Sequence, residues 1–127
     1  QMRSVLFLFA LFVLLALSSA KMQTVTVRGH TLCRSQSLNN VDIQLIEHDT
    51  FSPNDLLAET RPASDATFEI TGSEDEMGSI SPMISFIHEC QVPKNKKGCK
   101  RQVTFNIPKE YINGDVYDMS YVQLSMH

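Results

Sequence analysis

Apolar and polar side chains alternate along two stretches of the chain. Residues 24–28 read Thr-Val-Thr-Val-Arg, and residues 41–45 read Val-Asp-Ile-Gln-Leu. A half-buried β-strand has this period of two, because successive side chains point to opposite faces of the sheet. The spacing of three and four that marks a helix fits neither stretch, so both are predicted to be strands.

Five further segments have the length and composition of short strands, and turn-forming residues separate them. They lie at residues 56–61, 67–71, 83–89, 101–107 and 117–125. The turn formers lie at residues 37–40, 52–55, 62–65, 72–75, 93–98 and 113–115. Seven short strands so spaced predict an all-β sandwich or barrel. Short helical turns are expected only after Pro53 and Pro108.

The predicted core comprises the apolar side chains on the inward faces of these strands. Burying each one stabilises the fold by roughly 1.5–3 kcal/mol before chain entropy is subtracted. The predicted members are Val25, Val27, Val41, Ile43, Leu45, Leu57, Phe68, Ile70, Ile84, Phe86, Val103, Phe105, Ile107, Val122 and Leu124.

The N-terminus has the organisation of a cleavable signal peptide. Arg3 precedes an apolar run over residues 5–17, and small residues follow up to Ala20. The run is shorter than the roughly 20 residues that cross a bilayer, which favours a signal peptide over a membrane anchor. We predict a signal peptide at residues 1–20, one domain at residues 21–127, and a secreted, extracellular protein.

The expected mature chain is mildly acidic. Without Arg3 it has 10 Lys and Arg residues against 14 Asp and Glu residues. Such a chain has no overall attraction to nucleic acid, so no nucleic-acid partner is predicted. The sequence motifs of phosphate-binding loops, zinc proteases and serine hydrolases do not occur, which favours a non-enzymatic protein without a cofactor.

Six short strings stand out in the mature part, at residues 27–33, 53–58, 68–72, 84–90, 107–112 and 117–119. In order and spacing they resemble the nematode transthyretin-like family. The resemblance implies a transthyretin-like (immunoglobulin-like) antiparallel β-sandwich of about seven strands with an extracellular binding role. One turn departs from the family pattern, because Asp65 is followed by Ala66 instead of glycine. Alanine tolerates positive φ poorly, so this turn is expected to have another geometry.

Three cysteines predict one disulfide and one leftover thiol in an oxidising compartment. Cys90 ends one predicted strand and Cys99 opens the next, so a Cys90–Cys99 bridge across the short connection is favoured. Cys33 is then either a buried apolar group or a thiol that pairs with another chain. A zinc site at His88, Cys90 and Cys99 is the weaker alternative, because the paired ligand spacings of such sites are missing.

Five basic residues fall within eight positions beside these cysteines, and they are the predicted ligand-binding residues: Lys94, Lys96, Lys97, Lys100 and Arg101. Such a cluster could bind phosphate or sulfate groups of an anionic lipid, a glycosaminoglycan or an acidic protein, with binding that weakens as salt rises. A solvated hairpin tip is the alternative, since most charge runs merely face water.

Acidic residues at positions 47, 49, 55 and 74–76 offer oxygen ligands for calcium, with His48 among them. No known calcium-loop spacing supports such a site, so ordinary acidic turns and no metal site are expected.

Together these features favour a secreted, non-enzymatic binding module that contacts a lipid, a small apolar ligand or a protein surface. Peripheral contact with a membrane surface is one form that lipid binding could take. A secreted hydrolase is an alternative that needs convergent His and Arg side chains, with His30 as its candidate. An interaction protein linked through Cys33 is another. Exposed edge strands of two copies can pair with each other, so a homo-oligomer is also compatible with the sequence.

Overall fold

A computed structural model describes residues 21–126 as two packed β-sheets. The strands are β1 (Lys21–Cys33), β2 (Gln36–Ser37), β3 (Val41–Glu47), β4 (Asp55–Thr60), β5 (Thr67–Glu76), β6 (Pro82–His88), β7 (Arg101–Asn106) and β8 (Tyr117–Gln123). Three single-turn 3-10 helices lie at Lys94–Lys96, Lys109–Tyr111 and Leu124–Met126. The predicted signal peptide lies outside the described residues. Within residues 21–126, no helix has the length and apolar character needed to span a membrane.

The long strand β1 organises the first sheet. It pairs antiparallel with β5 over residues 21–30, with β2 at its C-terminal end, and parallel with β8 on its other side. The second sheet is antiparallel throughout, in the order β4-β3-β6-β7. The predicted all-β sandwich is therefore confirmed with all seven predicted strands, whereas β2 and the parallel β1–β8 pair were not predicted.

The core lies between the sheets and contains most of the predicted side chains. Its centre is Phe86, whose ring makes edge contacts with Phe68 and Phe105 at centroid distances of 5.6 and 6.0 Å. Three predicted members are only partly buried, because they lie on the edge strands β4 and β7: Leu57, Val103 and Phe105. The structure adds Ala66, Ile80 and Cys90 to the buried set.

Two predictions about turns are wrong. Residues 72–75 form no turn, because β5 continues to Glu76 and pairs there with the start of β1. Ala66 does adopt a positive φ, 67°, and is buried. Hydrogen bonds hold it there: the Ala66 N–H donates to the Ala63 carbonyl at 2.8 Å, and the Ala66 carbonyl accepts from the Thr31 N–H at 3.0 Å.

The two predicted helical turns have different outcomes. A 3-10 helix follows Pro108, as predicted. The segment after Pro53 is instead strand, because Asp55 begins β4 and pairs with Glu47 at the end of β3.

Candidate functional site

Four of the five predicted basic residues lie in the exposed connection between β6 and β7, and the fifth, Arg101, is the first residue of β7. We call residues 94–101 the basic loop. Pro93 precedes the 3-10 helix Lys94–Lys96, and the Lys96 N–H donates to the Pro93 carbonyl at 2.9 Å. The Cys99 N–H then donates to the Lys96 carbonyl at 3.0 Å. The loop therefore has a defined backbone instead of an open hairpin tip.

The structure divides these five residues into two groups. Lys100 Nζ lies 3.8 Å from Asp42 Oδ2, and an Arg101 guanidinium N–H donates to the Gln91 carbonyl at 3.3 Å. Within the described residues, no ion pair involves the other three basic residues: Lys94, Lys96 and Lys97. These three lysines are exposed and available to an external anion.

A cleft of about 570 Å³ adjoins the free lysines. Lys94 and Lys97 line it together with Val92, Pro93 and Cys99. Glu89 also lines this cleft, so two lysines outnumber one carboxylate beside apolar atoms. The cleft could hold an anionic group attached to an apolar body, with the lysines as its partners.

The predicted Cys90–Cys99 disulfide is wrong. The bridge joins Cys33, at the end of β1, to Cys90, just after β6, with their Cα atoms 5.8 Å apart. Cys90 is 4% exposed and faces the first sheet, whereas Cys99 is an exposed free thiol in the basic loop. Proximity along the chain suggested the wrong pair, because the side chain of Cys90 points across the sandwich and away from the loop.

The same finding excludes the zinc alternative. Cys90 is in the disulfide and cannot offer a thiolate, and His88 Nδ1 accepts a hydrogen bond from the Cys90 N–H at 3.0 Å. The hypothesis that Cys33 links this protein to another chain is contradicted as well, because Cys33 forms its disulfide within its own chain.

Arg28 and His30 line a second, smaller cleft of about 340 Å³ on the outer face of the first sheet. Arg28 Nε donates to Asp118 Oδ2 at 3.2 Å. His30 Nε2 shares a hydrogen bond with Ser37 Oγ at 2.7 Å. The Arg and His pair that a hydrolase would need is therefore present, but both side chains have partners within the chain.

The acidic residues form two groups near the other end of the sandwich. Glu47, Asp49 and Glu76 come together, with carboxylate oxygens within 4.8 Å of one another. Asp55 instead faces Glu74, and burial followed by the charge of Asp55 raises the pKa of Glu74. The sequence identified these acidic residues as candidates. It could not show that Glu47, Asp49 and Glu76 come together, because Glu76 lies on a strand of the other sheet.

These features define a small disulfide-bridged β-sandwich with a basic loop at one end. The sequence matches the Transthyretin-like family over residues 28–108. The chain belongs to the Transthyretin-like family.

Several curated relatives come from Caenorhabditis elegans. Transthyretin-like protein 16 is 37% identical over 108 residues, which cover 85% of this chain and 80% of the relative. Transthyretin-like protein 33 is 36% identical over 107 residues, covering 82% of this chain and 73% of the relative. Transthyretin-like protein 5 is 32% identical, covering 81% and 77%.

A solved structure is similar in fold. Part of a 9R-lipoxygenase from Cyanothece matches with a TM-score of 0.54 and 13% identity, covering 81% of this chain and 17% of that one. At this identity the match shows only that the sandwich fold is shared.

Proposed function

We propose that this protein is a secreted, non-enzymatic extracellular binding module whose basic loop binds anionic groups. The observation that carries the proposal is the set of three exposed lysines, Lys94, Lys96 and Lys97, which form no ion pair within residues 21–126 and lie beside a cleft of about 570 Å³. The expected ligands carry phosphate or sulfate, as anionic lipid headgroups and glycosaminoglycans do.

Electrostatics supports this role despite the acidic net charge of the chain. Salt screens exposed charges over about 8 Å at physiological ionic strength, so a ligand at the loop responds mainly to the local lysines. Each basic residue near an anionic membrane surface contributes about 1 kcal/mol. Three free lysines therefore give weak, salt-sensitive binding, which an adjoining apolar contact would strengthen.

The scaffold favours a preformed site. The disulfide at Cys90 fixes the chain at the start of the connection, and Arg101 fixes its end through the Gln91 carbonyl. Because less conformational entropy is lost when a ligand binds an ordered loop, a preformed site binds more tightly than a flexible one.

The proposal can be tested with vesicles and heparin over a salt series. The protein, purified after expression of the full chain with its disulfide formed, would be mixed with anionic vesicles, neutral vesicles or heparin. One variant replaces Lys94 and Lys97 by Ser, and a second replaces all five basic residues. The matched control replaces Lys21 and Lys109, which leaves the same net charge as the double variant.

We expect wild-type binding to an anionic ligand that falls as salt rises, persists in the control, and is at least tenfold weaker in the loop variants. Binding to vesicles alone would identify a lipid headgroup, and binding to heparin alone a sulfated glycan. Negligible binding by the wild type to both, or equal binding by all variants, would contradict the proposal.

A secreted hydrolase is the second candidate, because His30 Nε2 lies 2.7 Å from Ser37 Oγ, a distance suited to a base and a nucleophile, and His30 lines a cleft together with Arg28. In such a pair the histidine would accept the serine proton as the hydroxyl attacks an ester. Labelling by a fluorophosphonate that Ser37→Ala abolishes would support this candidate. An unlabelled wild-type protein would rule it out.

A further inference from the structure

Three carboxylates from separate segments meet at the end of the sandwich opposite the basic loop. Glu47 ends β3, Asp49 follows in the next connection, and Glu76 ends β5 in the other sheet. Their carboxylate oxygens all lie within 4.8 Å of one another. Because like charges repel, such convergence is unfavourable unless something neutralises it.

Glu47 is the unusual member, because it occupies a core position. Val41, Ile43, Leu45 and Glu47 alternate on the buried face of β3, and Glu47 is only 3% exposed. Its Oε2 atom is buried and accepts no hydrogen bond within residues 21–126. A buried carboxylate oxygen without a donor is costly, and such groups are normally paired or bound to a metal ion.

The surroundings add negative charge at this point. The carboxylate of Glu76 repels that of Glu47, and a hydrogen bond from the Ser81 backbone to the Glu47 carboxyl group offsets only part of this cost. Within the described residues, no lysine or arginine forms an ion pair with any of the three carboxylates. Among the described residues, His48 is the neighbouring side chain whose charge favours ionised Asp49, and it does so only as the smallest of several causes that act on the Asp49 pKa.

We propose that Glu47, Asp49 and Glu76 bind a calcium ion. All three ligand groups are carboxylates, the hard oxygen donors that calcium prefers over histidine or cysteine. Calcium–oxygen distances are about 2.3–2.6 Å, so ligand atoms on opposite sides of the ion are about 4.6–5.2 Å apart. The three ligand atoms lie within 4.8 Å of one another, so none of their separations exceeds what two oxygens on one calcium ion can have.

Hydrogen bonds hold the Asp49 carboxylate and the backbone of Glu76 in place. Asp49 accepts hydrogen bonds from the Phe51 N–H at 3.0 Å and the Ser52 hydroxyl at 2.6 Å. Gln23 donates to the backbone carbonyls of Glu76 and Gly78 at 3.2 and 2.6 Å. Each carboxylate oxygen has a second lone pair, so these bonds leave acceptor sites for the ion.

The test is a calcium titration followed by amide chemical shifts in ¹⁵N-labelled protein at constant ionic strength. The protein is purified after expression of the full chain with its disulfide formed. The variants are Glu47→Gln and Glu76→Gln, which keep the side-chain shape and remove the charge. Glu69→Gln, on the exposed face of β5, is the matched control.

We expect saturable shifts confined to residues 47–52 and 76–80, with a dissociation constant of about 10⁻⁴–10⁻³ M, the range of extracellular calcium modules. Binding should weaken at least tenfold in both cluster variants and stay unchanged in Glu69→Gln. Magnesium should bind at least tenfold more weakly, because it requires a smaller octahedral site.

Several results would overturn the calcium site. They are unsaturable or scattered shifts in the wild type, unchanged affinity in Glu76→Gln or in folded Glu47→Gln, and equal affinity for magnesium. A cluster that shares a proton between Glu47 and Glu76, without binding calcium, would give the first of these results.

Discussion

Asp42 joins the basic loop to the second sheet through three charged side chains. Its Oδ1 accepts a hydrogen bond from Arg61 Nε at 2.7 Å, and its Oδ2 lies 3.8 Å from Lys100 Nζ. The hydrogen bond with Arg61 is the largest cause that lowers the pKa of Asp42, and the charge of Lys100 acts in the same direction. Asp42 thus stabilises the fold and competes with an external anion for Lys100.

Replacing Asp42 by Asn should lower the stability at pH 7 by up to about 1 kcal/mol, as is usual for partly exposed ion pairs. Because the pKa of Asp42 is lower in the folded chain, its contribution is fully present above the usual value of 3.8. The contribution is lost as the pH falls through the lowered folded pKa. Urea unfolding at pH 7 and near pH 2 would measure both effects.

The exposed substitution Asp115→Asn is the control for this experiment, and its stability should stay within about 0.5 kcal/mol of the wild type at both pH values. A deficit in Asp42→Asn that persisted unchanged at the lower pH would mean that lost packing, and not the ion pair, causes it.

At the residue scale, prediction from sequence was limited wherever distant segments meet. The adjacent basic residues were identified correctly as one cluster, because they share a single loop. That Asp42 would pair with Lys100 could not be predicted, since 58 positions separate them and strand pairing brings them together. The prediction that Ala66 would avoid a positive φ was wrong. Its hydrogen bonds outweigh the backbone cost of about 1–2 kcal/mol for this conformation.

Strand β5 comes close to the second sheet at Gly72, where the missing side chain makes room for Leu45 and Leu57. A Cβ added at Gly72 would lie 2.8 Å from Leu57 Cβ and 2.8 Å from a methyl group of Leu45. Leu57 Cβ is attached to the backbone of β4 and cannot rotate away, so a side chain here would force the strands apart.

Gly72→Ala should therefore destabilise the protein by about 1–3 kcal/mol, the usual cost of overpacking a core. Guanidinium unfolding followed by circular dichroism would measure the loss. Glu69→Ala, on the exposed face of the same strand, should change stability by less than about 0.5 kcal/mol. Equal stability of both variants would show that β5 can move away from β4 at no cost.

Strands were predictable as elements because alternation and turn residues are local signals. Turn residues marked three of the four connections between β3 and β7, whereas the connection between β5 and β6 begins only after the predicted turn at residues 72–75. The parallel pairing of β8 with β1 joins the two ends of the domain, and no local pattern encodes that partner. The two-residue strand β2 is too short to show any period.

For the whole molecule, the disulfide is the covalent link between the two sheets. It joins residues 57 positions apart, and the entropy of closing such a loop in the unfolded chain corresponds to about 4 kcal/mol. Cys33→Ala should therefore lower the stability by about 2–5 kcal/mol. Guanidinium midpoints of Cys33→Ala and Cys99→Ala would test the link.

Cys99→Ala is the matched control, because Cys99 is exposed and unbridged, and its midpoint should equal that of the wild type. If Cys99→Ala lost as much stability as Cys33→Ala, the bridge in solution would have to involve Cys99.

Charge is distributed unevenly along the sandwich. The basic loop ends at Arg101, whose strand partner His88 lies opposite Val41 at the start of β3. Glu47 lies at the other end of β3, opposite Pro82. Six residue steps of about 3.3 Å separate Val41 from Glu47, so the two charged ends are roughly 20 Å apart. That distance exceeds two Debye lengths of about 8 Å at physiological ionic strength, and each end should act independently.

This independence predicts that the acidic end does not alter anion binding at the basic loop. Wild type and Glu47→Gln, compared at the same free calcium concentration, should bind heparin or anionic vesicles with affinities within about twofold, because screening leaves little energy over roughly 20 Å. Comparison at equal calcium cancels any direct effect of the ion on the ligand. A difference above about fivefold, or roughly 1 kcal/mol, would mean that the acidic end itself contacts the ligand, and the binding face would then have to include both ends of the sandwich.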